Sequence, residues 1–214
     1  MADPRSFGHP ARSSGGDTRL YGRRVMLRPL IPADFASFSE VRIRNEHWLL
    51  PWEPKRIDAF NDPTRHRDAF SARCAHRDRE RQAGSSSGFG VFVDHQFAGE
   101  INLNNVVRGA MQSATVGYWI DQARAGHRYI AEGFVALARH AFEDVHLHRL
   151  EIGIVPRNTN SRRVMETLAI REEGVAQRLI EIDGTWEDHV RYGITIEEWQ
   201  ARRTELSAAW LSPQ

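Results

Sequence analysis

Apolar and polar positions alternate from Arg23 to Leu30 (RRVMLRPL), the two-residue period of a strand with one buried face. Pro32-Ala33-Asp34 then opens a helical pattern that runs to about His47. Leu49-Leu50-Pro51-Trp52 ends it, because a proline disfavours helix at the residue before it. A second helical pattern starts near Asp62-Pro63 and continues to about Gln82, followed by a plain loop over 83–88. Three alternating runs come next, at 89–93, 97–106 and 114–121, with turn residues at Asp94-His95 and Arg108-Gly109. They predict an antiparallel meander. Over Tyr129 to Phe142 the period changes to 3.6, setting Ile130, Phe134, Ala138 and Ala141 on one stripe. A strand over 149–155, a short helix over 158–168, a hairpin of 175–182 and 189–194 about Asp183-Gly184, and a helix over 197–206 close the chain. No linker divides residues 20–212, so one domain is expected there, behind a polar tail over 1–19. The order predicts an α+β fold with one mixed, mostly antiparallel, twisted sheet flanked by helices.

Composition narrows the function classes. The 29 basic and 28 acidic residues leave a formal charge of +1, so no global field points to nucleic acid or to a membrane surface. No apolar run approaches the ~20 residues of a membrane-spanning helix. The tail lacks the apolar stretch of a secretory signal, which makes a cytoplasmic protein the expectation. A single cysteine, Cys74, excludes an internal disulfide framework and a multi-cysteine zinc site, and reads as packing. His146 and His148 have no carboxylate–histidine cluster with ligand spacing, so no metal is expected. Arg65, Arg67, Arg77, Arg79 and Arg81 read as a solvated helix face, since no aromatic residues interleave with them as an RNA-binding surface would require.

Two places combine strand, loop and helix start with polar chemistry. In the stretch from Tyr118 to Ile130 a strand ends, Gly126 allows close backbone approach, and a helix begins. Free amides and the helix dipole at such a start favour a pyrophosphate, and Arg124, His127 and Arg128 add positive charge. An ordinary loop that Gly126 merely turns explains the same residues equally well. The second place runs from Val155 to Val164, where Asn158 or Thr159 caps a helix and Ser161 lies in its first turn. Here simple capping is the stronger local reading.

Leu103-Asn104-Asn105-Val106-Val107-Arg108-Gly109, Val116-Gly117-Tyr118, His148-Arg149, Asn158 with Ser161, and Ile182-Asp183-Gly184-Thr185-Trp186-Glu187-Asp188-His189-Val190 occur in one order. In that order the sequence resembles GNAT-superfamily acetyltransferases, most of all the RimJ/RimL branch of ribosomal-protein N-alpha-acetyltransferases. Leu27-Arg28-Pro29-Leu30 and Leu50-Pro51-Trp52-Glu53 fit as well, and the resemblance runs from about Arg23 to Glu198. It implies a sheet opened into a V between its central strands, with acetyl-CoA as co-substrate in the opening. Tyr118, Trp119 and Ile120 would pair with the pantetheine arm. The backbone of Ala125, Gly126, His127, Arg128, Tyr129 and Ile130 would hold the pyrophosphate, and Asn158 would contact pantetheine. Ser161 would lie near the thioester sulfur as general acid. Trp52, Glu53, Asn102 and Asp188 are the expected acceptor-binding residues. The implied reaction is direct attack of an amine, the N-terminal Ala or Ser of a protein such as a ribosomal protein, on the thioester.

The chain departs from the family pattern at three points. The usual Q/R-x-x-G-x-G/A loop, aligned on Gly126, has Ala123 first and Arg128 last, and Arg128 is expected either to clasp phosphate or to crowd the cradle. A family glycine after the Asn–Ser helix is Ala169. The glutamate proposed as base in the branch falls on Ile180, so Glu100 is the substitute, with Asp188 in reserve. Two other functions compete: acetylation of a small amine such as an aminoglycoside or polyamine, and acyl-CoA binding with weak or no turnover.

Overall fold

The computed structural model describes residues 18–54 and 61–212, so the predicted tail, apart from Thr18 and Arg19, lies outside them. The strands are β1 (Leu20–Tyr21), β2 (Val25–Arg28), β3 (Ser87–Val93), β4 (Gln96–Val107), β5 (Ser113–Ile120), β6 (Arg149–Ile154), β7 (Arg171–Ile182) and β8 (Thr185–Thr195). The helices are α1 (Phe35–Arg44), α2 (Glu46–Leu49), α3 (Arg67–Ala83), α4 (Tyr129–Arg139), α5 (Thr159–Thr167) and α6 (Ile196–Trp210). One sheet contains all eight strands in the order β1-β2-β3-β4-β5-β6-β8-β7. Every neighbouring pair is antiparallel except β5 and β6.

That parallel pair makes the V. β5 and β6 pair only where Ser113, Ala114 and Thr115 meet Arg149, Leu150 and Glu151. β5 continues to Ile120 and β6 to Ile154 without touching, and the sheet splits between them. α4 fills the space on one face. All nine residues from Ile130 to Ala138 are buried, as expected of a helix apolar almost all round. A separate apolar cluster on the other face joins Phe38 and Val41 of α1 to Phe70 and Cys74 of α3, with Leu30, Phe92 and Phe97. The sheet is therefore sandwiched, and its split opens between two helical layers.

Several boundaries differ from the sequence reading. The helix predicted from Pro32 to His47 breaks at Asn45, whose buried side chain donates to the Val41 carbonyl and to Asp121 (both 2.8 Å) and accepts from the Gln122 amide (2.8 Å). α3 starts at Arg67 rather than at Asp62-Pro63, because Asp62 makes a turn, accepting from the amides of Thr64, Arg65 and His66. The first strand is shorter than predicted, and β7 and β8 are longer. The face of five arginines is only partly solvated: Arg65 precedes α3, Arg81 is buried against Asp78 (2.7 Å), and Arg77 reaches Ser86, just before β3, and Asn104 of β4.

Candidate active site

The split leads into a cleft of about 1240 Å³. On one side lie the end of β5, the α4 N-terminus and α5; on the other lie α1, α3 and the polar face of β4. The first side carries the cradle. Gly126 has φ +80° with open space where a Cβ would stand. Arg128, the residue before α4, has φ 65° and ψ 16°. Left-handed backbone at a non-glycine costs roughly 1–2 kcal/mol, and here it turns the chain so that a run of amides faces outward. Among the described residues, none of the amides from Gly126 to Ala131 donates to another protein group. A row of free donors at a helix start is what a diphosphate needs, so this loop fits a nucleotide with that group.

The cradle is anchored from below. Glu132, 1% exposed, accepts from the amides of Arg24 and Val25 (2.8 Å to the latter) and from Arg24 Nε (3.0 Å). The same guanidinium donates to the His127 carbonyl (3.1 Å) and stacks on Tyr129 (4.8 Å). Space is tight at this joint, since a Cβ at Gly22 would stand 2.6 Å from Glu132 Cγ. The Arg128 side chain has no partner among the described residues; it is exposed and lines the cleft. Ala169, the other departure from a family glycine, is also left-handed (φ 47°) and closes α5, with Ala169 and Ile170 donating to Glu166 and Met165. Both positions thus keep a glycine conformation without the glycine.

Tyr118 spans the split, its hydroxyl donating to the Ser161 carbonyl (3.1 Å). Burial pushes its phenol well above the ordinary value, only partly offset by that bond. Its one proton is committed. Asn158 caps α5 as local chemistry predicts, accepting from the Ser161 amide (3.1 Å), and its side-chain amide N–H groups stay available. Both Asn158 and Ser161 line the cleft.

Opposite, Glu100, Asn102 and Asn104 alternate along β4 and face α3. Glu100 is buried rather than an exposed strand carboxylate. One oxygen accepts from Arg73 (2.6 Å) and the other from the Trp119 indole (3.1 Å). Arg42 stacks over the same indole (5.0 Å) and holds Glu53 with two bonds (2.6 and 2.7 Å). The lip of the cleft follows from Pro51, which turns the chain so that Trp52 and Glu53 face inward. Arg157 covers Trp52 (4.9 Å) and pairs with Glu187, and the Asp183 amide donates to the Glu53 carbonyl (3.2 Å). The lip is thereby tied to the tip of the β7–β8 hairpin.

Of the predicted site residues, the structure gathers Trp52, Glu53, Glu100, Asn102, Tyr118, Trp119, Ile120, Ala125, Gly126, Arg128, Tyr129, Ile130, Asn158 and Ser161 around the cleft. It does not bring two of them there. Asp188 lies in the hairpin and accepts from the Arg178 amide (2.8 Å), pinning a bulge. The His127 side chain stacks on Tyr129 outside the lining. Sequence reasoning missed Arg42, Arg73, Arg77, Arg163 and Asn104. The signal for two of them was available: Arg73, Arg77 and Arg81 recur every four residues beside Phe70 and Cys74, on a half-buried helix face. Cys74 is buried, and burial pushes its thiol up to about 11, so it offers no nucleophile.

Comparison with known proteins identifies the class. A family model described as an acetyltransferase (GNAT) domain matches residues 24–171, and the chain belongs to that family. A relative from Escherichia coli (strain K12), the [ribosomal protein uS5]-alanine N-acetyltransferase, is 30% identical over 199 residues, covering 92% of this chain and 100% of its own. The structure of Mycobacterium smegmatis RimJ in complex with CoA-disulfide superposes with a TM-score of 0.80 at 33% identity, covering 90% of this chain and 92% of that one. The ribosomal-protein-S5-alanine acetyltransferase from Vibrio fischeri does so with 0.76 at 26% identity, over 86% and 99% of the two chains. Among the described residues no helix is long and apolar enough to cross a membrane.

Proposed function

We propose that this protein transfers the acetyl group of acetyl-CoA to the N-terminal amine of a protein, an Ala- or Ser-starting tail such as that of a ribosomal protein, in the cytoplasm. The observation that carries the reading is the free amide row from Gly126 to Ala131 beside an unpaired strand edge in a cleft of this size. Diphosphate on the cradle and pantetheine along Tyr118 to Ile120 would aim the thioester between Ser161 and the β4 face. Acetyl-CoA supplies the activated acyl group. The protein's share is chiefly alignment of two reactants, which converts a bimolecular encounter into an intramolecular one. Asn158, with its oxygen committed to capping, offers its N–H groups to pantetheine. The Ser161 hydroxyl donates toward the departing sulfur. Glu100 acts as a brace: with its oxygens engaged by Arg73 and Trp119, it fixes the indole that floors the acceptor half. Trp52 and Asn102 line the path of the incoming tail.

A small polyamine or aminoglycoside acceptor calls for open carboxylates around the acceptor half, and both that line it are engaged by arginine. The test is CoA release with a short Ala- or Ser-starting peptide, with the same peptide blocked at its N-terminus, and with a panel of small amines. Turnover of the free peptide alone is expected. Turnover of the amines but not of the peptide would overturn the acceptor class. Calorimetric binding of acetyl-CoA with no turnover of any acceptor would favour a binding protein instead.

A further inference from the structure

We propose that the acceptor half of the cleft works without a protein general base and accepts its amine only in the neutral form, which by itself selects N-terminal amines over lysine. The proposal rests on the acetyl-transfer reading above and concerns how that site treats the proton. Among the described residues, six arginines and three glutamates line the cleft, and no histidine or aspartate does. The described charged groups in the acceptor half are Arg42 from α1, Glu53 from the lip, Arg73 and Arg77 from α3, and Glu100 from β4.

Neither carboxylate there is open. Glu53 gives both oxygens to Arg42, and Glu100 gives one to Arg73 and one to Trp119. Every oxygen of the two carboxylates is thus already engaged by a donor of the protein. The third guanidinium, Arg77, meets Ser86 and Asn104 at 3.3 and 3.5 Å and pairs with Glu80 at 3.5 Å, behind the cleft lining. Glu166, the third carboxylate, stands on α5 across the split beside Arg163. An ammonium entering the acceptor half therefore finds no open carboxylate and has three guanidiniums nearby, and nearby like charges disfavour the charged form of an amine.

The chemistry balances without a base. The nitrogen lone pair of the neutral amine forms the N–C bond, and the C–S pair leaves with sulfur. One of the two amine protons ends on that sulfur, relayed through the Ser161 hydroxyl. The amide and thiol products carry the protons that the amine and thioester brought. Only the proton of the ammonium form is released, and it goes to solvent before entry. An α-amine titrates near 7.7–8.0 and a lysine near 10.4. At pH 7.5 about a third of the former and about 0.1% of the latter are neutral, a preference of about 250-fold that needs no pocket to exclude lysine.

The experiment is the pH dependence of kcat/KM for two peptides that differ only in an N-terminal alanine or 3-fluoroalanine, whose amine titrates lower. Each peptide's own amine midpoint is measured by NMR in the same buffers. We expect one rising limb of unit slope for each, with its midpoint at that peptide's free-amine value, so that the two curves separate by the NMR difference. A midpoint common to both peptides, or a second ionisation that disappears in Glu53→Gln, Glu100→Gln or Glu166→Gln, would overturn the proposal and name the base. Absence of CoA release from both peptides at every pH would instead remove the acetyl-transfer reading itself.

Discussion

Replacing Arg128 by glycine separates the two roles that this position could have. The residue sits in left-handed backbone (φ 65°, ψ 16°) ahead of α4, which costs roughly 1–2 kcal/mol for a side-chain-bearing residue. Glycine removes that cost but loses roughly 0.5–1 kcal/mol more backbone entropy on folding. The net gain in stability of the free protein is about 0.5–1 kcal/mol, or about 2–4 °C in Tm per kcal/mol for a domain of this size. Binding should move the other way. An exposed guanidinium on a phosphate is a charge-assisted bond at the low end of its range, about 1.5 kcal/mol, and its loss weakens CoA affinity about tenfold.

Ala169→Gly is the control. It relieves the same kind of strain at φ 47°, with an alanine side chain that cannot pair with phosphate. Thermal unfolding without ligand and calorimetry with CoA give both numbers for both variants. Arg128→Gly is expected to melt higher and bind CoA about tenfold more weakly, whereas Ala169→Gly melts higher with CoA binding unchanged. Tighter CoA binding by Arg128→Gly would refute the reasoning, because it would mean that the arginine crowds the cradle.

Three further outcomes test the site's construction. Asn158→Ala should lose about 1 kcal/mol of helix capping, whereas Asn158→Asp should keep the cap and the melting temperature but lower kcat/KM, since an acceptor-only carboxylate replaces the N–H donors. Asp121 is held below the usual carboxylate range: burial would raise it, but hydrogen bonds from Arg44, Asn45 and the Ala123 amide outweigh that effect. A lowered folded-state value contributes stability above about pH 4 that is lost as pH falls through it, so the stability gap between wild type and Asp121→Asn, followed by urea titration, should shrink from pH 6 to pH 3. Cys74, buried with its thiol pushed up to about 11, should resist an aromatic disulfide reagent in the native protein at pH 8 and react fully in denaturant.

Elements whose chemistry is local were legible in the sequence. The turn at Gly126, the cap at Asn158 and the stripe of α4 each follow from a few consecutive residues, whereas a phosphate cradle at Gly126 stood level with an ordinary loop until the resemblance favoured it. The splayed sheet entered only through resemblance, because β5 and β6 alternate as ordinary strands and nothing in either says that pairing stops after Thr115 and Glu151. Long charged side chains were the other gap. Arg77 read as solvated and Arg73 was passed over, because a guanidinium on a flexible stem can reach either water or a buried partner. Their targets, Glu100 and Asn104 on β4 and Ser86 just before β3, lie more than eight residues away in sequence. Glu100 likewise looked like a free carboxylate until both partners were in view.

A strand that surrenders a neighbour needs another means of keeping its shape, and β5 has one at its free end. The Asp121 amide donates to Ala98 of β4 (2.7 Å), and the Trp48 indole donates to the Ile120 carbonyl (3.2 Å). Asn45 bonds to Asp121 and to the Gln122 amide, and Tyr118 reaches across to the Ser161 carbonyl. The break between α1 and α2 has a structural use: Asn45 at the break and Trp48 in α2 hold the open edge. An unpaired edge is a template for any extended chain carrying amides. Because Trp48 already occupies the Ile120 carbonyl, the edge left for such a chain ends there, and the cradle at Gly126 begins a few residues further on. On the proposed binding mode, the same corner would set where an extended ligand arm leaves the strand and turns toward the helix amides.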